Sequence, residues 1–197
     1  MKNILIINAH QKYEGFANGN LTKDYIKVAN SFFTSNDFAV EHTVIEDGYD
    51  KDKELEKLLW ADAILFQTPI YWMSVPWIGK KYFDEVFTPS QGTLYVNDGR
   101  SRDDLSKKYG SGGLVKEKKY MLSLTYNCPS SEFSNPEGFF EGLSIDQANF
   151  AIHKIFQFCG AKQLETYSVH DVYKGDMNLE KELENFQKIL KNNFIKN

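Results

Sequence analysis

Asn3-Ile4-Leu5-Ile6-Ile7-Asn8 is a short, unbroken apolar run closed by an asparagine at each end. Such a run marks a strand buried on both faces, as in a parallel sheet. The next segments decide what that strand belongs to. A Gly- and Asn-containing stretch is followed by Leu21, Tyr25, Val28 and Phe32, a spacing that predicts a helix with one apolar face. Phe38 to Ile45 reads as a second strand. Leu55, Leu58 and Leu59 predict a short helix with those three residues on its inner side. Ala61 to Thr68 reads as a third strand, ended by Pro69.

The pattern then repeats. Pro76 stands where a helix can start, and Ile78, Tyr82, Phe83, Val86 and Phe87 continue at helical spacing. Lys119 to Tyr126 predicts a fourth strand. Ile145, Ala148, Ile152, Ile155, Phe156 and Cys159 predict one helix, stopped by Gly160. Leu164 to His170 is a weaker fifth strand, and Leu179, Leu183, Phe186 and Leu190 mark a final helix. Strict alternation of strand and helix implies an α/β fold, an open parallel sheet covered on both faces. Five strands suit the flavodoxin-like, doubly wound order 2-1-3-4-5. One domain spans residues 1–197, with no internal repeat and with long loops at 88–118, holding at most a short strand near Thr93–Val96, and at 127–144. Loops of that length are uncommon in small domains and often carry function.

Composition narrows the chemistry. The formal net charge of −4 argues against a general nucleic-acid binder, which needs a large positive excess. No stretch approaches the ~20 apolar residues of a membrane span, and the apolar run at Ile4–Ile7 is too short for a signal peptide. Cys128 and Cys159 have no CxxC partner, and the four histidines lack metal-ligand spacing. This points to a reduced, cytoplasmic chain without a metal site. No P-loop, GxGxxG, HExxH or GxSxG pattern is present. Aromatic residues make up 15% of the chain, and all three tryptophans fall between residues 60 and 77.

In a doubly wound sheet, ligands bind beyond the carboxyl ends of the strands, where the strand order reverses. That rule selects three stretches. The first is Ala9 to Asn20, which holds His10 and leads through Asn18, Gly19 and Asn20 into the first helix. A helix start with free N–H groups suits a phosphate, and simple capping by Asn18 or Asn20 is the alternative. The second is Thr68 to Val75, where Tyr71 and Trp72 either hold a planar ring or cap the core. The third is Thr125 to Ser131. Residues 100–119 carry seven basic and three acidic side chains, either an anion-attracting patch or a solvated face.

At these residues the chain resembles the modulator of drug activity B family of NAD(P)H:quinone oxidoreductases. The resemblance rests on Asn3–Asn8, Ala17–Leu21, Leu59–Asp62, Trp72-Met73 with Pro76-Trp77, and Lys80–Tyr82. It continues through Gly92–Tyr95, Asp98–Arg100, Ser106–Val115 and Lys118–Thr125. It implies an FAD-dependent enzyme, with FMN the less favoured flavin and NADPH or NADH as electron donor. The implied reaction is a two-electron, ping-pong hydride transfer through flavin N5 to a quinone, in a homodimer. It further implies that Ala17, Asn18, Gly19, Asn20, Leu21, Thr22, Lys23 and Asp24 hold the FAD phosphates. Ile70, Tyr71, Trp72 and Met73 would line the flavin ring, with Tyr109 reaching it from the long loop. Thr125, Tyr126, Asn127 and Cys128 would form the other wall, and His10 would meet the pyrophosphate. The alternatives are a flavin reductase acting on azo or nitro compounds and a flavodoxin-type electron carrier.

Overall fold

Parallel pairing around two central strands sets the architecture of the computed structural model, which describes residues 2–174 and 177–195. β1 (Asn3–Asn8) lies between β2 (Ala39–Val44) and β3 (Ala63–Pro69). β4 (Lys119–Thr125) pairs along the whole of β3, from Ala63 opposite Lys119 to Pro69 opposite Thr125. Two short strands, β5 (Lys162–Gln163) and β6 (Tyr167–Val169), share the last position beside β4. The order is β2-β1-β3-β4-β5, the flavodoxin-like order expected from the alternation. All seven residues of β3 are buried, as a strand covered on both faces requires.

Two apolar layers hold the sheet. On one face α1 (Asn20–Ser35) and α6 (Leu179–Phe194) bury Tyr25, Ala29, Phe33, Phe186, Leu190 and Phe194 against Ile4, Ile6, Leu65 and Met121. The other face carries α2 (Lys51–Trp60), α3 (Trp77–Tyr82), α4 (Ile145–Ala148) and α5 (Phe150–Phe158). Here Phe66 stacks on Phe83 at 5.1 Å, and Tyr120 stacks on Phe156 at 4.6 Å. Pro76 caps α3, which runs on into a π-helical stretch, Phe83–Phe87.

The structure departs from the sequence-level expectation in four places, each with a physical cause. The fifth strand is broken. From Gln163, opposite Tyr120, to Tyr167, opposite Ser123, the outer strand has one residue more than β4 and bulges. Buried Asn193 of α6 takes up the freed backbone groups: its Oδ1 accepts from Glu165 N–H at 3.2 Å and its Nδ2 donates to Glu165 O at 2.9 Å. The single helix expected from Ile145 to Cys159 is split at Asn149, whose side chain donates back to the Ile145 carbonyl at 2.8 Å and to Tyr126 Oη.

In α2 the inner face holds Glu54 and Leu58, while Leu59 points outward at 41% exposure. The buried Glu54 carboxylate accepts from Thr43 Oγ1 at 2.6 Å, Lys57 Nζ at 2.7 Å and Tyr82 Oη at 2.9 Å. Finally, no strand forms at Thr93–Val96; Tyr95 makes only isolated bridges to Gln91 and Gly113. The glycines that follow pack backbone to backbone. A Cβ on Gly112 would sit 2.1 Å from Asn97 O, and one on Gly113 would sit 2.2 Å from the carbonyl carbon of Cys159.

Candidate functional site

Beyond the carboxyl ends of β1, β3 and β4 lies a crevice of about 860 Å³. Its position follows from the topology, because the connections leaving β1 and β3 pass to opposite faces of the sheet. Most of its lining comes from three elements: the loop from β1 into α1, the turn after β3, and the segment after β4.

The first element ends at Gly19, which caps α1 in a left-handed conformation with φ 78°. Glycine has no side chain with which to cap, so neither Asn18 nor Asn20 serves as the cap. The first turn also holds no Asp or Glu. The positive end of a 16-residue helix is thereby left open to the crevice, where Gly19, Asn20, Leu21 and Thr22 line the wall. His10 packs against this cap so closely that a Cβ on Gly19 would lie 3.1 Å from the imidazole. Burial, with Lys23 nearby, lowers the His10 pKa below its ordinary value against the opposing pull of Glu46. Uncapped amides suit a phosphate, which accepts hydrogen bonds from backbone N–H groups.

The second element is a tight reversal. Tyr71 N–H donates to Ser74 O at 2.8 Å and Ser74 N–H donates back at 3.2 Å. Between them Trp72 and Met73 both have positive φ, 49° and 66°. This is the backbone of a type I′ turn, normally filled by Asn and Gly. Trp72 is 95% exposed, so its ring is offered to whatever enters the crevice. Tyr71 beside it donates to Gln11 O at 3.3 Å, lies 3.4 Å from His10 Nε2, and packs on Tyr13 at 5.7 Å. Burial pushes its hydroxyl up to about 12.

The third element brings Thr125 and Asn127 to the opposite wall. It is joined to the second through Ile70 N–H donating to Thr125 O at 3.0 Å. Behind it, His170 stacks on Tyr126 at 5.4 Å and 9°, while its Nδ1–H donates to Cys128 O at 3.1 Å. A helix end for an anion, a presented indole and a polar wall together fit a nucleotide carrying a flat ring, such as a flavin.

The family model for the flavodoxin-like fold matches residues 2–191. The chain is 41% identical over 173 residues to the Haemophilus influenzae NADPH:quinone oxidoreductase MdaB, covering 88% of this chain and 90% of that protein. This chain belongs to the MdaB family. An uncharacterised Schizosaccharomyces pombe protein is similarly related, at 42% identity over 172 residues and 87% of each chain. Among solved structures, a Klebsiella pneumoniae protein assigned to the quinone reductases superposes with a TM-score of 0.81. It is 21% identical and covers 99% of this chain and 86% of its own, a likeness of fold.

In this MdaB-family chain the crevice gathers many of the residues singled out in the sequence. His10, Asn18, Gly19, Asn20, Leu21, Thr22, Ile70, Tyr71, Trp72, Thr125 and Asn127 line it. Others lie elsewhere. Ala17 is buried beneath the loop and Tyr126 is buried against Phe133, because its side chain alternates to the face of Leu122 and Leu124. Lys23 and Asp24 stand on α1 outside the lining, and Met73 and Cys128 flank it. Tyr109 is 69% exposed, packing on Phe158 at 5.7 Å with the Arg100 guanidinium over its ring. Phe133, Phe139 and Phe140, from the 127–144 loop, are not part of the crevice lining. Phe133 is buried and stacks on Phe140 at 4.2 Å, and Phe139 alone points outward.

The crevice also includes Tyr13, Phe16, Val172 and Tyr173, which were not singled out in the sequence, and Pro69 from the Thr68–Val75 stretch. Tyr13 and Phe16 lay inside a stretch already selected. Applying the strand-end rule to the last strand as well would have pointed to Val172 and Tyr173.

Proposed function

We propose that this protein is an FAD-dependent NAD(P)H:quinone oxidoreductase with ping-pong kinetics. The observation that carries the reading is the union, in one crevice, of the uncapped α1 end with the presented Trp72 ring. The relationship to the Haemophilus influenzae NADPH:quinone oxidoreductase supports the donor and acceptor classes. When bound, the flavin supplies two-electron chemistry between nicotinamide and quinone.

The chain's own residues bind and orient. The N–H groups of Asn20, Leu21 and Thr22 would take the phosphates, with Lys23 adding positive charge nearby. Tyr71 and Trp72 would hold the ring plane, and Ile70, Thr125 and Asn127 the opposite wall. The crevice is open, so a donor and an acceptor can occupy the same place in turn, the arrangement that ping-pong kinetics needs. Exposed Trp72, Met73 and Trp77 support a homodimer. The free cysteines Cys128 and Cys159 support a reducing, cytoplasmic setting.

The test begins with the purified protein. It should be yellow, and heat should release a flavin with the mass of FAD rather than FMN. NADPH should bleach the colour without oxygen, and menadione should restore it. Initial rates at several NADPH and menadione concentrations should give parallel double-reciprocal lines. A colourless protein that takes up neither FAD nor FMN overturns the reading. Faster turnover of an azo dye than of any quinone moves the acceptor to the azo class.

A further inference from the structure

Phe16 and Tyr173 line the crevice and yet are 64% and 56% exposed, so both stand on its rim. They are 157 residues apart in the chain and meet there. The Tyr173 hydroxyl donates to the Phe16 carbonyl oxygen at 2.9 Å, and the two rings lie 5.6 Å apart, tilted by 35°. The N–H of Tyr173 donates to Asn127 Oδ1 at 3.2 Å, and that of Val172 to Tyr126 O at 3.2 Å. Asp171, with φ 54°, bends the chain after β6 into this position, and Lys174 N–H closes the turn on Asp171 O at 3.3 Å. One short turn thus ties the loop after β1, the wall after β4 and the end of β6 together along the crevice edge.

Rings this exposed add little to the stability of the fold, because little apolar surface leaves water. Their value lies in where they are. They bridge two walls of a cavity that a ligand would fill, and a ligand beneath them would cover the surfaces now facing solvent. We propose that Phe16 and Tyr173 form a clasp that contacts the bound flavin nucleotide and sets how slowly it leaves. This rests on the flavin reading above. Two aromatic faces at the rim of a site with a helix end for phosphate suit an occupant that is flat and heteroaromatic in part and polar in its chain. The bridging hydrogen bond needs a hydroxyl, so phenylalanine at 173 keeps the ring pair and loses the tie.

The experiment loads the protein with FAD and follows flavin release after dilution, with the melting temperature of the flavin-free protein measured alongside. One hydrogen bond of ordinary strength corresponds to up to about tenfold in rate. Tyr173→Phe should therefore release FAD several-fold faster, and Tyr173→Ala and Phe16→Ala about tenfold faster. The double alanine variant should fall short of the product of the two single effects, because the two rings pack on each other. The flavin-free melting temperature should stay near that of the wild type, since both rings are largely exposed. Unchanged release rates overturn the clasp, as does a double variant whose effects multiply. So does a loss of flavin-free stability large enough to explain faster release. A wild type that binds FAD while every variant releases it at the wild-type rate refutes the clasp alone. A wild type that binds no flavin refutes the flavin reading and the clasp together.

Discussion

Trp72 and Met73 occupy backbone that L-residues avoid, and no burial of the Trp72 ring offsets the cost. Left-handed backbone costs a non-glycine residue roughly 1–2 kcal/mol, and a bulky one is a true outlier. Strain kept at a crevice rim is the mark of a site under a second constraint, here presentation of a flat ring. Met73→Gly should therefore stabilise the flavin-free protein by about 1 kcal/mol, read from the urea midpoint at constant m. Trp72→Ala should weaken FAD binding about tenfold, as expected for removing an aromatic ring from a stacking contact. Trp60→Ala serves as the contrast. Trp60, the last residue of α2, packs half-buried against the core. Its loss should lower stability and leave flavin affinity alone. Equal flavin affinity in both tryptophan variants would remove Trp72 from the site.

Elements were legible in the sequence where an apolar face repeats, and illegible where a polar group does the joining. The run at Ile4–Ile7 and the spacing of Tyr25 and Phe186 showed strand and helix because burial alone selects those residues. Glu54 could not be found that way. It displaces Leu59 from the inner face of α2 because Thr43, Lys57 and Tyr82, from three different elements, satisfy its carboxylate. The break in the fifth strand was hidden for a similar reason, since its partner Asn193 lies 28 residues further on. The candidate site was half legible. The strand-end rule located its helix start and its aromatic turn, but Tyr173 reaches the crevice from a turn with no motif of its own. Glu54→Ala should cost about 1–3 kcal/mol in chemical denaturation, because it leaves the buried Thr43 and Tyr82 hydroxyls without their acceptor, while Lys57 keeps His42 O and Thr43 Oγ1. A cost below about 1 kcal/mol would mean that water replaces the carboxylate and that Glu54 is no organiser of β2, α2 and α3.

Across the whole molecule, buried titrating groups set a pH window for folding. Burial lowers the pKa of His10, His42 and His170 below the ordinary 6.5, with hydrogen bonding to Cys128 O opposing this at His170. A histidine with a lowered folded value binds fewer protons in the native than in the unfolded chain. Its contribution is full above pH 6.5 and declines as the pH falls from there through the lowered value. Asp146, held low chiefly by its hydrogen bond to His153, adds a second loss as the pH falls below 3.8. The tyrosines act at the other end. Burial raises Tyr25, Tyr71, Tyr120 and Tyr126 from 10.0 to about 12, so their stabilisation is full below pH 10 and is lost as the pH rises toward 12. Burial also raises Cys159 from 9.0 to about 12, so the melting temperature should be flat between about pH 6.5 and pH 9, falling on both sides. The two shoulders should respond to different variants. His170→Asn should soften the decline that begins below pH 6.5, and Tyr120→Phe should soften the decline above pH 10. Tyr71→Phe adds a link to the site. Its alkaline softening should persist when FAD is bound and extend to higher pH, because a ligand that covers the Tyr71 ring keeps the hydroxyl protonated in the folded state alone. A decline on the acid side that starts only below pH 4 would mean that the three histidines titrate as freely in the folded chain as in the unfolded one.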